Sequence, residues 1–161
     1  VRRRPFMYRV VGVCYGLLDL VVDRISTELV AATPHDADLR ARAVIAYDWL
    51  VEVDGSAMVL IERLPLTPSA LRYLGDTARL LEEHSPDAQT LAASWRLLWT
   101  YVVGCAAAAT ARSTTIEPTD GSPPDDAVEI LTALAAKDAR ELFLDGLDLL
   151  LVGLDRSDPV G

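Results

Sequence analysis

The chain is poor in the residues that form disulfide and metal sites. Its 161 residues include two cysteines and two histidines. Cys14 and Cys105 offer neither a disulfide framework nor a four-cysteine zinc site, and they fit reduced thiols in a cytoplasmic protein. His35 and His84 lack the glutamate, three residues earlier, that a di-iron helical bundle requires. The sequence therefore predicts no metal and no cofactor.

Long apolar runs and catalytic motifs are also missing. The longest apolar stretches are about five or six residues, well below the ~20 that a membrane span needs, and no signal peptide opens the chain. Neither Gly-x-Ser-x-Gly, nor a glycine-rich phosphate loop, nor His-Glu-x-x-His occurs. Asp48 and Glu52 lie four residues apart, but a solvated stripe explains them better than a catalytic carboxylate pair. We therefore predict no enzymatic activity and no membrane partner.

Basic residues are scarce outside the start of the chain. Fifteen basic and 24 acidic residues give a formal charge of −9. The first eighteen residues contain no acid and four arginines: Arg2, Arg3, Arg4 and Arg9. The rest holds eleven basic and 24 acidic residues, a formal charge of −13. Because such a charge repels phosphate backbones, the bulk of the chain is not expected to be a nucleic-acid surface.

The remaining sequence divides into segments of helical length. Capping residues, prolines and glycines delimit helices over residues 16–33, 38–53, 56–63, 68–81, 88–112, 125–136 and 138–154. Turn-forming residues predict a loop over 113–124, and residues 157–161 are expected to fray. No segment shows the period-two alternation of a strand. The chain is therefore predicted to be all-α, with about seven helices.

The longest predicted helix is apolar on two opposite faces. One face carries Trp95, Trp99, Val102 and Ala106, and the other carries Leu97, Tyr101, Gly104 and Ala108. The two faces lie about 200° apart at ~100° per residue, so the helix needs two partners. The second face, together with a stripe on the last helix (Phe143, Leu147, Leu150 and Leu154), predicts a homodimer held by a four-helix contact. The alternative is a fully buried central helix in a monomer.

The aromatic residues predict a mainly apolar ligand cavity inside each subunit. Its predicted lining is Tyr47, Trp49, Leu50, Met58, Ile61, Leu74, Trp95, Trp99 and Val102. Such walls suit a flat, largely hydrophobic small molecule. A strongly anionic ligand is disfavoured, because none of these positions carries a positive charge. The alternative is that the tryptophans simply fill the core.

Three segments, in this order, resemble TetR-type bacterial transcriptional regulators. Residues 7–12 (MYRVVG) and 16–24 (GLLDLVVDR) resemble the junction between the recognition helix and the helix that links it to the sensor domain. Residues 64–71 (LPLTPSAL) are similar to the proline-interrupted entry to the sixth and seventh helices. Residues 143–154 (FLDGLDLLLVGL) are similar to the closing helix. The resemblance covers about residues 5–155.

The resemblance implies a tetracycline-repressor-like C-terminal helical bundle. Residues 1–14 would be a remnant of the recognition helix and linker, 15–156 the ligand-binding and dimerisation domain, and 157–161 a disordered tail. The family places about forty residues before the position of Tyr8, where this chain has seven. Tyr8 and Arg9 are therefore the expected remnant of the DNA-binding surface, and operator DNA would be bound only through a missing N-terminal domain.

The resemblance also implies a mechanism. In the family, a small molecule that enters between the helices tilts the linking helix, here residues 16–33. The two recognition helices of the dimer then no longer match successive major grooves, and the repressor leaves the DNA. A stand-alone helical protein that heterodimerises with a full-length regulator is the alternative function.

Overall fold

The computed structural model describes residues 5–62, 67–82, 85, 87–111 and 136–155, with side chains from Gly16 onward except that of Glu62. This part of the chain contains six helices and no strand, which confirms the all-α prediction. The helices are α1 (Pro5–Ala32), α2 (Leu39–Glu52), α3 (Ser56–Glu62), α4 (Pro68–Glu82), α5 (Ala88–Thr110) and α6 (Ala139–Asp155). The predicted helix over 125–136, the loop over 113–124 and the tail over 157–161 lie outside the described residues.

Helix α1 begins eleven residues before its predicted start at Gly16. Proline suits a first helical turn because its φ is already helical and its missing N–H would have no partner there. A glycine inside a helix costs about 1 kcal/mol relative to alanine but does not by itself end the helix. The prediction that the helix starts at Gly16 was therefore wrong. The helix ends beside Pro34, where the backbone N–H of Thr33 donates to the carbonyl of Leu29 at 3.1 Å.

Side-chain caps begin three of the other helices. The carboxylate of Asp38 accepts from the backbone N–H of Ala41 at 2.7 Å. The carboxylate of Asp87 accepts from two N–H groups of α5 at 2.8 Å each. Asp138 and Glu141 cap each other reciprocally at the start of α6. These caps satisfy N–H groups that have no partner inside the helix, so short local signals determine where these helices begin.

Helix α5 lies at the centre of the bundle and packs against α2, α3, α4 and α6. Among the described residues, it is the one helix long and apolar enough, by length and composition, to cross a membrane. Packing against four helices accounts for the apolar residues on its inner sides, but only 28% of that apolar stretch is buried within the described part of the chain. Leu50, Val102, Phe143 and Leu147 are each at most 2% exposed and belong to the same core.

Two reciprocal ion pairs join α2 to α6. Arg40 donates to Asp148 at 2.7 and 3.2 Å, and Arg140 donates to Asp48 at 2.8 and 2.9 Å. Each helix contributes an arginine and, eight residues later, an aspartate, so the pairs require antiparallel helices in one register. Asp48 is therefore the partner of an arginine and does not pair with another carboxylate. The hydrogen bond from Arg40 lowers the pKa of the Asp148 carboxyl below its usual value.

We expect the pair between Asp48 and Arg140 to stabilise the docking of α6. Arg140→Asp places two carboxylates opposite each other and should lower the Tm, whereas the double variant Arg140→Asp, Asp48→Arg should restore most of the loss. Both effects should shrink in high salt, because these groups are exposed to solvent. Thermal unfolding followed by circular dichroism at low and high ionic strength measures the effect, and an unrestored double variant would contradict the pairing.

The pairs also predict a dependence on pH. Because the folded-state pKa of Asp148 is lowered, its contribution is complete above the unfolded-state pKa of about 3.9 and is lost as the pH falls through the folded-state value. The contact between α2 and α6 is therefore expected to weaken only in acid.

Candidate functional site

In the described part of the structure, the nine residues predicted to line a cavity lie in several separate places. Trp95, Trp99 and Val102 line a space with Tyr73 and other neighbours, but its volume is about 10 Å³. That is roughly the minimum for one water molecule and far below the ~300 Å³ of a small ligand pocket. Trp95 and Trp99 are half-buried and Trp99 packs against the core, so among the described residues they pack closely with their neighbours and enclose no ligand-sized space here.

Aromatic packing explains why so little space is left there. The rings of Trp95 and Trp99 are stacked with centroids 5.9 Å apart, and Tyr73 lies tilted against Trp99 at the same distance. Tyr73 is 6% exposed, and burial raises the pKa of its hydroxyl to about 12, so the hydroxyl remains a hydrogen-bond donor. It donates to the backbone carbonyl of Arg42 at 3.4 Å. The residues around these tryptophans therefore form a packed cluster.

The structure also places a cation beside this cluster. Arg42 is 6% exposed, lines the small space and donates through Nε to the carbonyl of Ala37 at 3.1 Å. Arg42 is not one of the nine predicted positions and lies on a helix that is otherwise largely apolar, so its charge did not enter the prediction that anionic ligands are disfavoured. Among the described residues, the space that it lines is too small for a ligand of any charge.

The other predicted lining residues are scattered. Tyr47 and Leu50 are buried in the core, where Tyr47 stacks in parallel on Phe143 with centroids 4.0 Å apart. Met58 and Ile61 are 53% and 54% exposed, and Leu74 is half-buried. These residues were assigned to one cavity from their residue types. Residue type alone does not determine which side of a short helix such as α3 faces inward.

A larger groove lies elsewhere, between α1 and the turn that joins α2 to α3. Its volume is about 490 Å³, within the ~300–1,000 Å³ typical of small-molecule sites. Trp49 is the one predicted lining residue that borders it. The apolar walls are formed by Leu20, Val21, Ile25, Trp49, Val53 and Val59. We define these residues, with the polar ones named below, as the α1 groove.

Local backbone chemistry shapes the turn that forms one wall of the α1 groove. Gly55 adopts φ +77°, a left-handed conformation that glycine accepts without strain. The backbone N–H of Val53 donates to the carbonyl of Trp49 at 3.0 Å, and the hydroxyl of Ser56 donates to the carbonyl of Leu50 at 3.1 Å. These bonds satisfy the end of α2, so the chain turns sharply and α3 returns beside α1.

Four polar residues also line the α1 groove: Arg24, Glu28, Asp54 and Ser56. The guanidinium of Arg24 is paired with the carboxylate of Glu28, one turn further along α1. The contribution of α1 was not predicted, because the apolar stripe of this segment was used only to identify a helix. In the structure, Leu20 and Val21 remain 69% and 38% exposed.

The residues predicted to form the dimer interface separate into two groups. Phe143 and Leu147 are 1% and 0% exposed within a single chain, so they belong to its own core and are not available to a partner. Leu97 is 55% exposed, and Gly104 and Ala108 are also exposed. Leu150 and Leu154 are half-buried. The prediction is wrong for Phe143 because Tyr47 of α2 covers this residue on the inner face of α6.

Tyr101 connects the two helices of the predicted interface. It is half-buried, donates its hydroxyl to the carbonyl of Phe143 at 2.9 Å and stacks on the Phe143 ring with centroids 5.7 Å apart. A Cβ added at Gly146 would overlap the Tyr101 hydroxyl. Glycine at this position therefore permits the close approach of α5 and α6, while exposed Leu149 and Val152 lie on the outside of α6.

Tyr8 and Arg9 belong to the first turns of α1, but their side chains lie outside the described part of the structure. Within the described residues, no group of three or more histidine, cysteine or acidic side chains is placed to hold a metal ion.

Comparison with protein-family models, curated proteins and solved structures found no match to the chain.

Proposed function

We propose that the chain is the small-molecule-sensing, dimer-forming domain of a TetR-like transcriptional repressor, in which ligand binding promotes release from DNA. The α1 groove is the observation that carries this proposal. It offers a ligand-sized, largely apolar space directly against α1, the helix that resembles the family's link to the DNA-binding head. A ligand wedged between α1 and the turn after α2 would favour a different tilt of α1.

The exposed apolar residues of α5 and α6 support a homodimer as the working form. Leu97, Leu149 and Val152 are 55%, 76% and 45% exposed, and Gly104 allows a close approach to a partner because nothing lies within 4 Å of the Cβ it lacks. Burial of large apolar side chains is the main favourable contribution to association. We propose that α5 and α6 pair with their symmetry mates in a four-helix contact.

A stand-alone partner protein that heterodimerises with a full-length regulator remains the alternative, since the same surface would serve it. The two functions differ in what is encoded upstream of Val1. An in-frame helix-turn-helix supports the sensor domain of a repressor, and an immediate stop codon supports the stand-alone partner. Sequencing of the upstream region therefore separates them.

The proposed ligand site predicts that a small, flat aromatic molecule contacts Trp49. In a Trp95→Phe, Trp99→Phe background, Trp49 is the sole tryptophan, so 4-bromobenzyl alcohol bound in the α1 groove should quench its emission saturably through heavy-atom contact. Val21→Phe fills part of the groove and should weaken this quenching about three- to tenfold.

Leu17→Phe is the matched control, because Leu17 lies one turn earlier on α1, is 62% exposed and does not line the α1 groove. The Trp49 emission of this variant should be quenched as strongly as that of the parent protein. Linear, non-saturating quenching of Trp49 that is equal in both variants would contradict the proposed ligand site.

A further inference from the structure

The charges around the α1 groove are unequal. Arg24 is engaged by Glu28, whereas the described part of the structure gives the exposed carboxylate of Asp54 neither a hydrogen bond nor an ion pair. The three side chains together carry a net negative charge, and the whole chain carries −9. The rim of the groove is therefore suited to a positive charge.

Trp49 provides a second feature that a cation would use. It is half-buried and lines the groove, next to the turn that carries Asp54. Aromatic faces attract cations, tryptophan most strongly, and quaternary ammonium groups are commonly held in this way. An apolar wall, an aromatic ring and an unpaired carboxylate thus lie together at one site.

We infer that the ligand of the α1 groove is a hydrophobic molecule with a single positive charge. This inference rests on the proposed function and narrows it. An anion would face Asp54 and Glu28, and the one cation among the described residues that line the groove, Arg24, is already paired. A neutral molecule would gain the apolar contacts but would leave the attraction of Asp54 and Trp49 unused.

Tetraphenylphosphonium and tetraphenylborate test the inference, because they have nearly the same size and shape but opposite charge. Each is titrated into the full chain labelled with ¹⁵N and ¹³C-methyl groups, and binding is followed at the indole N–H of Trp49 and the methyl groups of Ile25. We expect saturable shifts with the phosphonium and none with the borate at the same concentrations. Equal affinity for both ions would overturn the inference.

Asp54→Asn removes the unpaired carboxylate and should weaken phosphonium binding about two- to fivefold, the effect of one exposed charge pair. Asp36→Asn is the matched control, since it changes the net charge equally. Fourteen-residue α2 separates Asp36 from Asp54, and its ~20 Å length exceeds the Debye length of ~8 Å in physiological salt. An equal loss in both variants would show that only the overall charge attracts the ion.

A charge placed inside the groove supplies the stronger test. Val21→Lys should abolish the phosphonium shifts and permit borate binding, whereas Val21→Gln, of similar length but uncharged, should keep the preference for the cation. If 4-bromobenzyl alcohol quenches Trp49 while the phosphonium does not bind, the ligand class is wrong and the proposed site survives. If neither molecule binds, the site itself is refuted.

Discussion

Replacement of Phe143 by alanine is expected to lower the free energy of unfolding by about 3–5 kcal/mol. The ring is 1% exposed and stacks on Tyr47 and Tyr101, which belong to two different helices. The truncated residue would leave a cavity between α2, α5 and α6 that the surrounding rings could fill only in part. The loss should be independent of protein concentration, because the contacts lie within one chain.

Urea unfolding followed by circular dichroism at several protein concentrations measures this loss. Leu17→Ala is the control, because Leu17 is 62% exposed on α1, outside the proposed dimer contact, and its truncation should change the unfolding free energy by less than about 0.5 kcal/mol. If Phe143→Ala left the stability of the single chain unchanged and only dissociated a dimer, the core assignment of Phe143 would be wrong.

Gly104→Glu should dissociate the proposed dimer while leaving the fold of each chain intact. Nothing lies within 4 Å of a Cβ at this position and the residue is exposed, so one chain can accommodate the glutamate. In the four-helix contact, the carboxylate would be buried without a partner near its own symmetry mate. Such an uncompensated charge costs roughly 3–5 kcal/mol, which lowers the association constant by more than a hundredfold.

Sedimentation equilibrium of the wild-type protein and the variant tests the interface. Gly16→Glu is the matched control, since Gly16 is also exposed, also has open space around its missing Cβ and lies on α1. It should remain dimeric. A wild-type protein that is monomeric at high micromolar concentration would refute the proposed dimer, and a dimeric Gly104→Glu variant would place the interface elsewhere.

The helices were predictable because their signals are local. Asp38, Asp87 and Pro68 mark helix starts through bonds or backbone angles within one turn, and the structure confirms each of them. The start of α1 was predicted wrongly because Gly16 was interpreted as the helix boundary. A single glycine has only a modest effect on helix stability, so it does not end a helix that has already begun at Pro5.

The candidate site was less predictable because it depends on contacts between distant segments. Trp49 was identified from its residue type, but Leu20 and Ile25 were not, since a stripe on α1 looks the same whether a helix or a ligand covers it. Phe143 was assigned to a partner for the same reason, although Tyr47 of the same chain covers it. The ligand, the dimer and the link to DNA remain predictions.

Local sequence was sufficient to predict the all-α class, the ends of most of the described helices and which faces of α5 are apolar, because periodicity, caps and turn residues act over a few neighbouring positions. Which apolar faces the chain itself covers depends on its tertiary packing. In the folded chain, Trp95 stacks on Trp99 and Trp99 packs against Tyr73, two arginine–aspartate pairs join α6 to α2, and the α1 groove stays open. A face can be apolar through local sequence alone, but its exposure depends on whether another helix, distant in sequence, packs against it.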